Sequence, residues 1–303
     1  MSRAIPVLHV DVFTDRPFAG NPAAALLDTD GLTEAEMQRM AAEMGKAGTA
    51  FVSAPTRSDA DRRLRMFSPT RELGYSGHTT IAAVHALREA GRLPEGRVTF
   101  ETLSGLVRVE VEERDGEALI WLEPPRTALS PLRGPLPEIL DVLGLPASRL
   151  GSWARPALTP DADVLLPAAD LGTLRQLAPD MSRLGRLGDE HKLRGFCVVA
   201  PAGLEPASAT HSRFFAPHYG VPEDIVTGSV HSAIGVWLLE AGRLRPDRGL
   251  AAFIAEQGDF LGRPGRVAVE VRVATGTDGR DRVAGVRVGG RAVTVLSGSL
   301  HLP

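Results

Sequence analysis

Two short segments of this 303-residue chain set proton-handling side chains beside a glycine. Tyr75-Ser76-Gly77-His78 offers an imidazole and a hydroxyl. Val226-Thr227-Gly228-Ser229 offers two hydroxyls, with Asp224 just upstream. An imidazole titrates near neutrality and is the natural proton carrier. Asp224 suits a base, or a group that orients and charges His78. Backbone N–H groups following Gly77 and Gly228 suit a carboxylate or enolate oxygen. Each residue also has a plain structural reading. A histidine beside a glycine more often packs than reacts. Asp224 in Pro-Glu-Asp can cap a turn or helix, and Thr227 or Ser229 can be simple helix N-caps.

The relation between the two segments favours chemistry. Residues 77–93 and 228–244 align at an offset of 151 with eight identities in seventeen positions, including the whole run Glu89–Leu93 against Glu240–Leu244. Phe67-Ser-Pro69 and Phe215-Ala-Pro217 precede the two copies, and Val107–Val111 and Val267–Val271 follow them. Three matches in the same order mean duplication, and a period of half the chain means two similar lobes. Each copy reads as a helix. Ile81, Val84, Ala86 and Leu87 give an apolar face; Ile234, Val236, Trp237 and Leu238 are apolar nearly all round, which predicts deep burial. Gly91 and Gly242 fall where a helix C′ glycine belongs. Two buried helices thus start at equivalent points, each with free N–H groups and a positive dipole end. Equivalent points of two lobes are expected to meet across a ligand-binding cleft.

The positioning elements are mostly strands. Alternation or β-rich composition predicts Val7–Phe13, Ala50–Ser53, Leu64–Phe67, Val98–Glu101, Val107–Val111 and Leu119–Leu122, then Phe196–Ala200, Val267–Val273, Val283–Val288 and Ala292–Leu296. Gly289-Gly290 carries a hairpin-turn signal. Thr33 and Glu36 form a capping box for a helix over Glu34–Met44, and Leu136–Leu143 and Leu171–Leu177 suggest short helices. The proline-rich stretch 124–167 is expected to hold the crossover. The expected fold is α+β: two pseudo-symmetric lobes, each a curved, mostly antiparallel sheet round a central helix. The expected boundaries are 1–127 plus about 285–303, and about 128–284.

Composition excludes several classes. The charge is −3, from 34 basic and 37 acidic residues in mixed order, so no basic excess points to nucleic acid or a membrane surface. No apolar run reaches membrane-span length and no signal peptide is legible, which points to a cytoplasmic protein. A single cysteine, Cys197, fits a reducing compartment and reads as core. Walker A, G-x-G-x-x-G, H-x-x-x-H and C-x-x-C patterns are absent, so the economical expectation is chemistry with no cofactor and no metal.

The residues also carry a family resemblance. Asp11-Val-Phe-Thr-Asp-Arg-Pro-Phe-Ala-Gly-Asn-Pro22, Phe67-Ser-Pro-Thr-Arg-Glu-Leu-Gly-Tyr-Ser-Gly-His-Thr-Thr80, Phe100-Glu-Thr102 and Glu223-Asp-Ile-Val-Thr-Gly-Ser229 resemble the phenazine-biosynthesis isomerase-like (PhzF-like) family of the diaminopimelate epimerase fold. The resemblance implies a cleft site between two lobes, no cofactor, a homodimer, and an acid/base glutamate assisted by a histidine and an aspartate. The last two map to His78 and Asp224. The glutamate's segment is Gly45-Lys-Ala-Gly-Thr-Ala-Phe-Val52, and its position is Gly48. Related racemases and epimerases carry a cysteine where Ser76 and Thr227 stand, so a two-thiol mechanism is not expected. Glycine at position 48 is expected to leave open space for a larger substrate or a water. Glu43, on the predicted helix one turn before the segment, and Glu72, part of the ordinary family pattern, are the candidate substitutes.

Two function classes follow. One is a cofactor-independent isomerase, or a related lyase or cyclase, acting on a small carboxylated metabolite. His78 and Asp224 would move the proton, Tyr75, Ser76, Gly77, Thr227, Gly228 and Ser229 would bind substrate, and Gly48 would shape the pocket. The other is a catalytically inactive binding or regulatory member of the same fold.

Overall fold

The computed structural model describes residues 3–93, 96–114, 116–124, 128–276 and 281–302. The chain divides into two compact units, Met1–Glu123 with Gly289–Pro303, and Pro124–Val288.

Unit 1 starts with β1 (Arg3–Val12), β2 (Asn21–Leu26), α1 (Glu34–Met44), β3 (Gly48–Ser53), β4 (Arg62–Phe67), β5 (Glu72–Leu73), α2 (Gly77–Glu89), β6 (Arg97–Thr102), β7 (Gly105–Arg114) and β8 (Glu117–Leu122). Its sheet runs β1–β2–β3–β4–β6–β7–β8. The β2–β3 and β4–β6 pairs are parallel and the others antiparallel. The short β5 pairs with β4. α2 packs against β1, β2, β3, β4 and β8, and every residue from Thr79 to Leu87 is buried. α1 adds a separate layer, in which Met37, Met40 and Ala41 pack with Ile5, Leu26, Phe51 and Phe67. Its capping box forms as expected, with Glu36 N–H donating to Thr33 Oγ1 at 3.3 Å and Thr33 N–H to Glu36 Oε2 at 2.7 Å.

Unit 2 holds β9 (Ser130–Pro131), α3 (Leu136–Leu143), β10 (Ala157–Leu158), β11 (Asp163–Pro167), α4 (Leu171–Gln176), α5 (Met181–His191), β12 (Gly195–Ala200), β13 (Ser208–Ala216), β14 (Val221–Asp224), α6 (Gly228–Glu240), β15 (Leu250–Gln257), β16 (Gly265–Thr275) and most of β17 (Asp281–Gly290). Its sheet runs β10–β11–β12–β13–β15–β16, with β11–β12 and β13–β15 parallel and β14 on β13. This is the pairing order of unit 1. In both units the buried helix follows a short strand and precedes a parallel return. Alternate residues of β12 explain the layering. Phe196, Val198 and Ala200 face α3, α4 and α5, while Cys197 and Val199 join Val230, Ile234 and Trp237 of α6.

The chain returns to unit 1 as β18 (Ala292–Leu302), which pairs antiparallel with β1 from Arg3↔Leu302 to Val12↔Ala292. The two buried helices end alike. Gly91 and Gly242 take φ of +65° and +66°. The following Arg92 and Arg243 N–H groups donate to Leu87 and Leu238 carbonyls at 2.9 and 2.8 Å.

Two expectations need correction. Gly289-Gly290 is not a hairpin turn but the end of β17. A Cβ at Gly289 would stand 2.6 Å from Trp121 Cε3, and one at Gly290 would stand 2.4 Å from Phe13 Cδ1. These glycines permit ring packing rather than a reversal. The stretch 124–167 is more than a crossover, since it supplies α3 and three strands of unit 2; residues 125–127 lie outside the described set.

Candidate active site

In unit 1 the helix entry is built around Ser76. Its backbone is extended at the N-cap of α2, yet its side chain makes no capping bond. Ser76 Oγ instead lies 2.7 Å from Thr79 Oγ1 and 3.4 Å from His78 Nδ1, and Thr79 Oγ1 lies 3.5 Å from His78 Nε2. Thr80 Oγ1 donates to the Ser76 carbonyl at 2.8 Å, which anchors the first turn from below. Tyr75, Gly77 and His78 are half-buried. The Tyr75 hydroxyl is 3.9 Å from where a Cβ of residue 77 would stand.

Gly48, the first residue of β3, is buried against this cluster. A Cβ there would stand 1.9 Å from Thr79 Oγ1 and 3.0 Å from His78 Nε2. The expected open space is therefore absent at the start of that side chain, because Thr79 fills it. Of the two glutamates named as substitutes, Glu72 is gripped by Arg65 at 2.7 and 2.6 Å. Glu43 is exposed on α1.

In unit 2, Thr227 occupies the N-cap of α6 and also makes no capping bond. Its hydroxyl donates to Asp224 Oδ2 at 2.7 Å. The buried Gln257 side chain locks this turn. Its Oε1 accepts from Thr227 N–H at 3.1 Å, and its Nε2 donates to the Asp224 carbonyl at 2.9 Å and to Thr227 Oγ1 at 3.2 Å. The Thr227 hydroxyl is thus committed to Asp224 and Gln257. Gly228 is buried and Ser229 half-buried in the first turn. Neither α2 nor α6 has an acidic residue in its first turn; the carboxylate at the start of α6 is that of Asp224, just ahead of the N-cap.

Sequence reasoning missed Arg194 and Gln257. Arg194 Nε holds Asp163 at 2.8 Å and its Nη2 also contacts Asp163, while Nη2 reaches Ser229 Oγ at 3.2 Å. Burial pushes the Asp163 carboxyl up, and the guanidinium opposes that. About a third of the Arg194 side chain stays exposed (32%), and Asp161 stands 3.7 Å from Nη2, so the guanidinium at the first turn of α6 is paired with two acids. No local motif marks either residue; only the pairing of β12 and β15 around β13 brings them to α6.

Deeper in unit 2 lies a second polar cluster. His231 Nδ1 donates to the Thr227 carbonyl at 2.9 Å, and burial pulls its pKa down to about 4. Burial raises the Glu256 carboxyl, but His211 at 3.0 Å and the Leu204 and Glu205 N–H groups outweigh it and hold it at about 2. His211, Glu256 and Asp259 bring metal-ligand atoms together. However, Arg266 lies 3.0 Å from Asp259 and 3.8 Å from Glu256, so a guanidinium already balances that charge. Cys197 is fully buried and burial pushes its thiol well up, which removes it as a thiolate base.

Comparison with known proteins places this architecture. The family model for phenazine biosynthesis-like proteins matches residues 10–298. The chain belongs to that family. It is 36% identical over 296 residues to an uncharacterized isomerase of Deinococcus radiodurans, covering 96% of this chain and 92% of that protein. A PhzF family phenazine biosynthesis protein from Bacillus anthracis superposes with a TM-score of 0.87 at 28% identity, covering 98% of this chain and 99% of that one. A hydroxyproline epimerase from Agrobacterium vitis shares the fold, with a TM-score of 0.64 at 17% identity over 99% of this chain and 93% of that one. The two-lobed α+β architecture expected from the duplication, and the epimerase-like fold that the family resemblance implied, are therefore the fold of this phenazine biosynthesis-like protein. Among the described residues, no helix is long and apolar enough to cross a membrane.

Proposed function

We propose that this phenazine biosynthesis-like protein is a cofactor-independent isomerase, or a related lyase or cyclase, for a small carboxylated metabolite. His78 and Asp224 carry the proton, and the uncapped first turns of α2 and α6 hold the substrate's acid or enolate through the backbone at Gly77, Gly228 and Ser229. One observation carries this reading. Both N-cap hydroxyls turn away from capping, Ser76 toward Thr79 and His78 and Thr227 toward Asp224, so neither N-cap side chain takes up the first-turn N–H groups of its helix, and each helix start lies beside a proposed proton carrier. Arg194 supports a substrate with acceptor oxygens, since its guanidinium, paired with Asp163 and Asp161, still brings an N–H donor to Ser229. The isomerase names of relatives at this identity agree with a proton shift.

A second reading, an inactive binding protein, draws on Gly48: the volume where a side chain would begin is occupied by Thr79. Deuterium uptake from heavy water separates the two. A panel of small amino, hydroxy and dihydroaromatic acids is incubated with wild type, His78→Ala and Asp224→Ala. Catalysis predicts label incorporation into at least one acid by wild type, reduced on the order of 10²–10⁴-fold in either variant. Binding of an acid without any label exchange would give the function to the inactive reading.

A further inference from the structure

We propose that unit 2 carries a second small-molecule site, at the C-terminal end of α6, which takes an organic ammonium cation with an aromatic or apolar body and holds it by the Glu240 carboxylate and the Trp153 indole. The site lies one helix length from Thr227; 13 residues at about 1.5 Å each put it about 20 Å from the residues proposed to act at the start of α6.

The duplication shows what sets Glu240 apart. Its counterpart at the offset of 151 is Glu89 of α2. Glu89 is satisfied on both carboxylate oxygens: His85 Nε2 lies 3.1 Å from Oε1, and Thr294 Oγ1 donates to Oε2 at 2.9 Å. Arg88 adds a basic residue in the same last turn. In α6 the equivalents of His85 and Arg88 are Val236 and Leu239, and the last turn has no basic residue. Among the described residues, the Glu240 side chain makes no hydrogen bond or ion pair, although it is half-buried. Burial pushes its carboxyl up, with no neighbouring cation to oppose the rise. The helix dipole adds partial negative charge at the same end. A carboxylate kept there without a partner is complementary to a cation that arrives from outside.

Beside Glu240 the chain leaves a pocket of about 440 Å³, large enough for a small organic molecule. Leu129, Pro131, Trp153, Arg155 and Trp237 line it together with Glu240. The two indoles are fixed in place. Their centroids are 4.8 Å apart with the rings at 58°, Trp153 Nε1 donates to the Ala168 carbonyl at 2.8 Å, and Trp237 Nε1 donates to the Arg155 carbonyl at 2.8 Å. Trp237 is buried and backs the half-buried Trp153, which is left to meet the ligand. With both indole donors spent, the rings offer apolar and π surface, which suits an ammonium on a flat body rather than an acceptor group. Arg155 is exposed, so water screens its charge from a cation beside Glu240.

The chain's 3 tryptophans make the test direct. In ¹⁵N-labelled protein, the indole N–H signals of Trp153 and Trp237 should move on titration with phenethylamine, while that of Trp121, which does not line the pocket, stays still. 2-Phenylethanol and 3-phenylpropionate match the body without the cation and should bind about 10-fold more weakly or worse. Glu240→Gln keeps the shape and removes the charge from a side chain with no partner to lose. It should fold as wild type and weaken phenethylamine by about 10-fold or more. Three outcomes would each overturn the proposal: no movement of the Trp153 and Trp237 signals at millimolar amine, equal affinity for the three probes, or equal affinity of phenethylamine for wild type and Glu240→Gln. Trp153 and Trp237 signals that follow protein concentration and ignore the amine would give the pocket to a second copy of the chain and overturn it as well. None of these readouts depends on isomerase activity.

Discussion

Gln257 shows how a single side chain can hold a reactive turn. It satisfies the Thr227 N–H and the Asp224 carbonyl and leaves the Thr227 hydroxyl aimed at the Asp224 carboxylate. Replacing it with leucine strands two buried backbone groups. The expected cost is about 2–4 kcal/mol, measurable as a lowered midpoint in urea with an unchanged slope. Arg194 makes a different prediction. Arg194→Gln replaces the charged donor at Ser229 with a neutral one, so it should weaken carboxylate ligands roughly 10-fold and isosteric amides by less. Isothermal titration with matched acid and amide pairs reads the difference. The sequence named His78, Thr227 and Ser229 because each lies next to a repeated glycine, and Asp224 because it stands just upstream of the second. Arg194 and Gln257 carry no such mark, lying 30 or more residues in sequence from the side chains they serve. The filled volume at Gly48 was equally invisible, because its occupant lies 31 residues away on another element.

At the scale of elements, α6 and β15 make stability depend on pH. His231, on α6, has its pKa pulled by burial from 6.5 to about 4. The unfolded chain therefore binds a proton there that the folded chain does not. That contribution is complete above pH 6.5 and is lost as pH falls toward 4, on the order of 3 kcal/mol. Glu256, held at about 2 against an ordinary 4.5, adds a second loss below pH 4.5. Thermal unfolding across pH 7 to 3 should show Tm falling in both windows. A flat Tm between pH 6.5 and 4 would contradict the burial of a neutral His231. The capping box of α1 offers a smaller test. Thr33→Ala should cost about 1 kcal/mol by removing the bond to Glu36 N–H. Elements with strong local signals were legible: α1, α3 and both repeated helices. α5 was not. Gly185 and Gly188 lower its helix propensity, and Gly188 stands there because a Cβ would meet His218 Cε1 at 2.6 Å. Gly289-Gly290 misled for a related reason, since glycine demanded by a neighbouring ring looks the same in sequence as glycine demanded by a turn.

Across the whole molecule, the duplication was readable because the helices and their C-terminal glycines repeat in sequence. The shared pairing order was not, because strand neighbours with parallel returns leave no local trace. Unit 2 is one continuous stretch, whereas unit 1 takes β18 from the far side of it. Deleting residues 292–302 should leave β1 without that neighbour and loosen unit 1. Limited proteolysis with mass mapping should then degrade residues 3–123 well before 128–288.

The pairing of β1 with β18 also sets an order of events on the ribosome. Unit 2 has every strand it needs once its own stretch has left the exit tunnel. Unit 1 must wait while the 165 residues of unit 2 are made, which at about 5–20 residues per second is roughly 8–33 seconds. During that interval β1 emerges with one edge unpaired, a strand awaiting its partner and open to a chaperone or to another nascent chain. β1, made ahead of every other strand of unit 1, is thus among the last of them to be completed.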